Sequence, residues 1–500
     1  MEATLEAERP AVSHRWLILL TVIIGTFLGR LDQTVVNLAL PKIINDFSIS
    51  VSQASWIATA YILANAVFVP IWGKLGDTIG RRKVYVLGFT IFIGGSVLAG
   101  LAWNLGSMIV FRVIQAIASS ADYPTAMAIL AVTFKAGKDR AQALGLWSSS
   151  FAAASVFGPL IGGPLIDDFG WRSVFFVNLP VGIVGLAMAL MFIKESVAEN
   201  ANVHFDWWGA ITLGVSLSAL VLVLDKVTDW GWFSYQSILA YLTTIVFSAI
   251  FYQIDKRHPE PIVDFKFFKI ATFDGTLLNN FIIFMGLTGG IFLLPVFMQT
   301  YLGYSATQAG YMFIPMAMAL MLGSPLGVTL VGKVQPKYVI AVSTLVAALG
   351  LFLFKAIDIR SNAQDIIFPL SIMAFGLGFG MSQRTSLIAS VVPTNEMGIA
   401  SSILALARNI AGAFGIALFT SILNNATESN LVSIAHYSIV HASTPSVHAE
   451  VISLMETLAQ IDGFRSVFVI ASLIMVVAAG LALFTINVKE EKKGVQVMID

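Results

Sequence analysis

Fourteen times along this chain, about twenty mostly apolar residues run on before a short polar gap interrupts them. A helix of that length crosses the hydrocarbon core of a bilayer. Lipid offers no partner to an exposed backbone N–H or C=O, so only helices and closed barrels span it. Barrel strands need only about 9–11 residues, and these runs are twice as long. The predicted fold is an all-α membrane protein: two six-helix bundles plus two inserted helices, 14 transmembrane helices in all. The runs are predicted to begin near Trp16, Gln53, Arg82, Ser107, Asp139, Arg172, Trp208, Ser234, Thr272, Ser305, Lys337, Ile366, Glu396 and Gly463.

Only 12% of the 500 residues are charged, against about 25% in soluble domains, so each remaining charge is informative. Net charge is zero, which gives no basis for nucleic-acid binding. Cysteine is absent, which excludes disulfides and thiolate metal sites. His436, His441 and His448 share one polar stretch at a spacing that fits no standard metal motif. No metal or cofactor is expected. No clustered His, Ser or metal constellation suggests an enzyme. No Gly-Lys-Ser/Thr loop suggests an ATP-driven pump. Glu2, Glu6 and Glu8 precede Arg9 and Arg15, and the run that follows is too long for a cleavable signal peptide.

The cations orient the chain. With the N-terminus in the cytoplasm, nineteen of the 29 Lys and Arg residues fall inside and six outside; Arg30, Arg112, Arg384 and Arg408 lie within apolar runs. Such an inside bias predicts a multi-pass protein of the inner or plasma membrane with both termini cytoplasmic. Residues 1–15 are then a cytoplasmic N-terminus and 16–193 an N-terminal six-helix bundle. Residues 194–264 hold two linkers around two inserted helices. Residues 265–487 form a C-terminal six-helix bundle with an outer loop at 424–462, and 488–500 a cytoplasmic tail. Two such bundles with a site between them are a transporter plan.

Gly73-Lys74-Leu75-Gly76-Asp77-Thr78-Ile79-Gly80-Arg81-Arg82-Lys83 fills the gap between the second and third runs. Its glycines permit a tight turn, Asp77 suits a helix end, and Arg81, Arg82 and Lys83 pin the turn to the cytoplasmic surface. Gly158-Pro159-Leu160-Ile161-Gly162-Gly163 combines a helix-bending proline with residues that allow close helix approach. Both read as gating elements.

These segments resemble the major facilitator superfamily, in its fourteen-helix drug:proton antiporter branch of EmrB/QacA-like multidrug efflux. The first matches the superfamily's loop between helices 2 and 3, and the second the helix 5 motif of antiporters. Leu31-Asp32-Gln33-Thr34-Val35-Val36-Asn37-Leu38-Ala39-Leu40-Pro41 resembles the branch's helix 1 signature, and Arg112-Val113-Ile114-Gln115 the helix 4 motif. Trp171-Arg172, Phe176-Val177-Asn178-Leu179-Pro180, Leu294-Pro295, Gly398-Ile399-Ala400-Ser401-Ser402 and Arg408-Asn409 follow in turn. Ala116, Ala118 and Ala154 stand where the family has glycines. The second copy of the signature loop, around Gly327 to Lys337, lacks an acid, and Arg30 and Asp122 fall where small or apolar residues are usual.

Charges inside a bilayer are costly and mark function. Asp32 and Asp122 are the acids read as intramembrane. A carboxyl's proton affinity depends on its wetting and on nearby arginines, so a carboxyl whose surroundings change between two conformations carries protons. Asp32 lies roughly 12 Å and Arg112 roughly 8 Å from the outer end of their helices. The resemblance makes those helices neighbours, so the two are expected to pair in one state. Arg408, near the midplane, is a second partner for Asp32. Asp122 is expected to pair with Arg30 or to act as counter-ion to a cationic cargo. The proton-coupling set is thus Asp32, Asp122, Arg112 and Arg408. Arg384, close to the inner end of its run, has the reach to snorkel. Arg30, Gln33, Thr34 and Asn37 form one polar stripe. With Gln115, Tyr123 and Gln299, they are the expected cavity lining; Asn65, Asn279, Asn280 and Gln383 are weaker candidates.

The resulting expectation is a proton-coupled secondary transporter that exports small amphipathic or cationic compounds and functions as a monomer. Its partners are then a small-molecule substrate, protons and the lipid bilayer. A transporter of an anionic lipid, fatty acid or metabolite, using the intramembrane arginines, is the alternative. A non-transporting membrane sensor is a remote one.

Overall fold

The computed structural model describes residues 12–134, 138–196, 206–259, 261–263, 265–330, 333–392, 397–437 and 445–485. The side chains of Lys74, Asp77, Ser401 and Ser402 lie outside the described residues, and with them the role expected of Asp77. So do His441 and the side chain of His448.

Sixteen α-helices and two short 3-10 turns make up the described residues, with no β-strand. They run α1 (Val12–Phe47), α2 (Val51–Ile79), α3 (Arg81–Gly100), α4 (Leu105–Ser119), α5 (Asp122–Thr133), α6 (Lys138–Phe169), α7 (Ser173–Phe176) and α8 (Asn178–Phe192). There follow α9 (Trp207–Trp230), α10 (Tyr235–Asp255), α11 (Ala271–Thr300), α12 (Ala306–Val328), α13 (Pro336–Leu353), α14 (Ala363–Val391), α15 (Met397–Tyr437) and α16 (Pro445–Thr485). Among the described residues, twelve helices are long and apolar enough to cross a membrane. The run expected from Ser107 is divided between α4 and α5, and the run from Asp139 corresponds to α6.

Prolines explain two interruptions that hydropathy does not register. Pro124 has no N–H for the Ser120 carbonyl, and Pro180 none for that of Phe176. The helix breaks at Ser120–Ala121 and at Val177. Each break starts a new helix at a polar residue, Asp122 in α5 and Asn178 in α8.

The turn expected over Gly73–Lys83 is narrower than the sequence suggested. Helix α2 continues to Ile79, and the reversal rests on Gly80 alone, at φ 116°. The expected outer loop at 424–462 is largely helix: α15 extends to Tyr437 and α16 starts at Pro445. Each has 41 residues, roughly 60 Å at 1.5 Å per residue, about twice the hydrocarbon thickness.

The chain divides into two compact units. The first comprises Met1–Ile49, Trp56–Gly214 and Ala249–Ile262. There α1 packs on α6 and α8, and α3 on α4 and α8. Helix α2 is tied to α4 where Trp72 Nε1 donates to the Ile117 carbonyl at 2.5 Å. Close approach of α6 to α1 depends on two glycines. A methyl on Gly158 would strike Thr34, and one on Gly162 would lie 2.5 Å from Val35 Cγ1.

The second unit comprises Ser50–Ser55, Val215–Ser248 and Val263–Asp500. There α11 packs on α15 and α16, α12 on α14, and α13 on α14 and α16. This repeats the pairing of the first unit. It also holds an acid that the sequence reading left out: Asp225 of α9 is buried and accepts from Ser52 Oγ at 3.1 Å.

Candidate functional site

In the first unit five helices meet around one carboxylate. Asp32 is 1% exposed. Arg112 Nη1 lies 2.5 Å from its Oδ2, and Gln115 Nε2 donates to Oδ1 at 2.9 Å. Asn178 Nδ2 donates to the same oxygen at 3.1 Å. It also donates to Ser96 Oγ, which in turn donates to the Phe175 carbonyl. Arg112 further donates to Gln115 Oε1 at 2.7 Å. Its guanidinium lies 4.0 Å from the centre of the Tyr61 ring. Helix α1 thus supplies the acid, α4 the cation and amide, α8 and α3 the flanking polar groups, and α2 an aromatic platform. Burying such a pair is costly unless remaining donors and acceptors are met; here both carboxylate oxygens are occupied, while Arg112 Nε and Asn178 Oδ1 are buried without a partner.

A second acid is held against α1, at Thr26, nearer the start of that helix. Asp122 opens α5. Thr26 Oγ1 donates to its Oδ2 at 2.7 Å, and Trp147 Nε1 donates to Thr26 Oγ1 at 2.8 Å. Its other oxygen, Oδ1, is buried without a hydrogen-bond partner. Arg30 acts on it through space and donates to Gln33 Oε1 at 3.2 Å.

The remaining cavity candidates separate. Thr34 donates to the Leu31 carbonyl of its own helix at 2.9 Å and faces Gly158, so it belongs to the α1–α6 contact. Gln33 and Asn37 are half-buried, and Tyr123 is exposed and packs against Trp147. In the second unit Gln299 is half-buried near the end of α11, and the Arg408 guanidinium lies 4.9 Å from the Phe284 ring centre.

Arg384 corrects an expectation: it does not snorkel. It is 1% exposed. Its Nε donates to Asn279 Oδ1 at 2.8 Å, and its Nη2 reaches Thr344 and Ser343 hydroxyls at 3.1 and 3.2 Å. Asn279 also reaches the Ala478 carbonyl at 3.3 Å. Three neutral partners hold the side chain inside, with Nη1 buried and without a partner.

At the Gly80 turn, the Glu195 carboxylate accepts from the backbone N–H of Arg82 at 3.0 Å and of Lys83 at 3.2 Å. Arg82 Nη2 donates to the Leu190 carbonyl at 2.6 Å, and the Arg81 N–H to that of Ser196 at 3.0 Å. The signature segment is therefore fastened to the end of α8. Sequence reasoning missed Glu195, Asn178, Thr26 and Trp147. The signals available were an acid just past an apolar run, and polar groups beside helix-breaking prolines.

The Major Facilitator Superfamily profile matches residues 22–416. Multidrug transporter protein MdtP of Bacillus subtilis (strain 168) is 32% identical over 452 residues, covering 89% of this chain and 82% of that protein. The tetracenomycin C resistance and export protein of Streptomyces glaucescens is 28% identical over 98% of this chain and 95% of its own length. A solved bacterial homolog of the human lysosomal transporter Spinster, inward-facing and unoccupied, superimposes with a TM-score of 0.70 at 18% identity. That match covers 97% of this chain and 99% of the other. The chain is a multi-pass membrane transporter and belongs to the Major Facilitator Superfamily.

Proposed function

We propose that this protein exports small amphipathic or cationic compounds in exchange for protons, by alternating access. The observation that carries the reading is the buried Asp32–Arg112 pair, in a chain whose relatives include multidrug transporters. A buried ion pair joining two helices is strongly bound while both charges persist. Removing one charge leaves the other uncompensated. A change of charge along α1, at Asp32 or at the Asp122 that Thr26 holds, is therefore linked to rearrangement of the helices that carry it. No nucleotide is required, because the proton gradient supplies the energy.

The fourteen-helix drug:proton antiporter branch supplies the rest of this reading. The divided α4–α5 segment and α6 count as spans beside the twelve apolar helices. Both termini are cytoplasmic, the site is a plasma or inner membrane, and one copy suffices. The Gly80 turn and the glycines of α6 act as gating elements.

A second reading keeps the fold and changes the cargo. Arg384 is buried among neutral groups, which favours an anionic lipid, fatty acid or metabolite. Purified protein in proteoliposomes, with a pH-sensitive dye inside, separates the two. The first reading expects a proton signal on adding lipophilic cations such as ethidium. A signal from lipophilic anions alone overturns it in favour of the second.

A further inference from the structure

The two intramembrane acids of the first unit are built differently, and the difference assigns the proton. Asp32 has N–H donors on both oxygens. A proton arriving there has to displace one of them. Asp122 has one oxygen held and one left over. Oδ2 ends a directed chain, Trp147 to Thr26 to Asp122. Oδ1 is buried without a partner beside a cavity of about 20 Å³. The cavity is bounded by Gly25, Gly29, Tyr85, Gly88, Ser119 and Asp122, among others.

Size decides what this cavity can take. A buried water needs at least about 10–15 Å³ by this measure, so one water fits and an amphipathic compound does not. An amphipathic cargo therefore does not reach Asp122 through this cavity. A water also needs polar neighbours. Tyr85 supplies one, its hydroxyl donating to the Thr21 carbonyl at 3.2 Å while keeping lone pairs free. Gly25 keeps the space open: a methyl there would meet the Tyr85 hydroxyl and lie 3.2 Å from Asp122 Oδ1.

We propose that Asp122 takes up and releases the coupling proton, through one water held between its Oδ1 and the Tyr85 hydroxyl. This rests on the proton-exchange reading above. The step is an acid–base transfer: a hydronium-like water gives a proton to Oδ1, forming one O–H bond and leaving a neutral carboxyl. Among the described residues, the charged and titratable groups around Asp122 are Arg30 on α1, Tyr85 on α3 and the adjoining Tyr123 on α5. Tyr61 on α2 stands one step further, beside Arg30. Neutralising Asp122 leaves Arg30 as the dominant charge there. Its field then opposes a cation near the polar face of α1, and that opposition links proton entry to cargo release.

Two measurements on the full-length protein test this. The first is pH-difference infrared spectroscopy without any cargo. A protonated-carboxyl C=O band is expected in wild type and in Asp32→Asn, and its loss is expected in Asp122→Asn. The second is ethidium-driven proton movement in proteoliposomes. It is expected to fall at least tenfold in Asp122→Asn. If Asp122→Asn does not fold, Gly25→Ala fills the cavity with the acid in place, and Thr26→Val frees Oδ2. Both are expected to shift the pH at which the band appears. A band or proton signal that survives Asp122→Asn, or a band unmoved in both substitutes, overturns the assignment. An Asp122 band in a wild type that moves no protons with ethidium sinks the exchange reading and leaves the proton site standing.

Discussion

Among the described residues each unit buries one arginine almost completely, and the two are held in opposite ways. In the first, Arg112 of α4 meets the Asp32 carboxylate of α1, with Ser96 of α3 and Asn178 of α8 alongside. In the second, Arg384 of α14 meets Asn279 of α11, Ser343 and Thr344 of α13, and, through Asn279, the Ala478 carbonyl of α16. These are the first, third, fourth and sixth helices of each set of six. Counted along the divided α4–α5 segment, Arg112 lies in the first third and Asn178 opens α8, whereas Arg384 and Ala478 lie in the last third of α14 and α16. The same four-helix knot is tied twice, at opposite ends of the helices that form it. Only the first contains an acid. An ion pair can be switched by one proton; an arginine held by an amide and hydroxyls cannot. The contrast leaves one unit with a charge-compensated knot and the other with a positive charge held by neutral groups alone.

The largest expected effect tests the charged knot. Arg112→Ala strands a buried carboxylate and is expected to cost about 3–5 kcal/mol, read as a lower melting temperature in detergent. Arg112→Lys is expected not to restore it, because an ammonium lacks the planar fork and the stacking on Tyr61. The neutral knot should be weaker. Arg384→Met removes the charge and strands no ion, so the loss is expected at about 1–2 kcal/mol. Equal losses at the two arginines would erase the distinction. Asn279→Asp sharpens it from the other side: the carboxylate pairs with Arg384 Nε but loses the amide N–H that donates to the Ala478 carbonyl, so stability is expected to change little while transport of any anionic cargo weakens. The smallest effect lies outside both knots. Glu195→Gln removes charge from the first turn of α3 and is expected to cost about 0.3–1 kcal/mol, less in high salt.

What the sequence disclosed follows from scarcity. Charges are rare in apolar runs, so Asp32, Arg112, Asp122 and Arg384 stood out, and depth along the helix matched the first two. The all-helical, multi-pass fold was legible because hydropathy integrates over twenty residues; of the fourteen expected runs, twelve are long and apolar enough to cross a membrane among the described residues. For the same reason the breaks before Asp122 and Asn178 were blurred, each depending on one absent N–H four residues later. The surroundings of Arg384 were hidden because Asn279, Ser343 and Thr344 are ordinary residues from two distant helices. Nothing local marks them as partners. The long α15 and α16 were misread because their ends are polar, and polarity signals exposure as readily as it signals a loop.

The Glu195 fastening has a consequence for how this chain can be divided. The carboxylate that caps α3 comes from the far side of five intervening helices, just before the stretch that joins the first six expected spans to the inserted pair. A gene cut between codons 197 and 205 leaves the first fragment with its own clasp, and the two co-expressed pieces should reassemble. A cut only a few codons earlier, after Ile193, hands the clasp to the wrong piece.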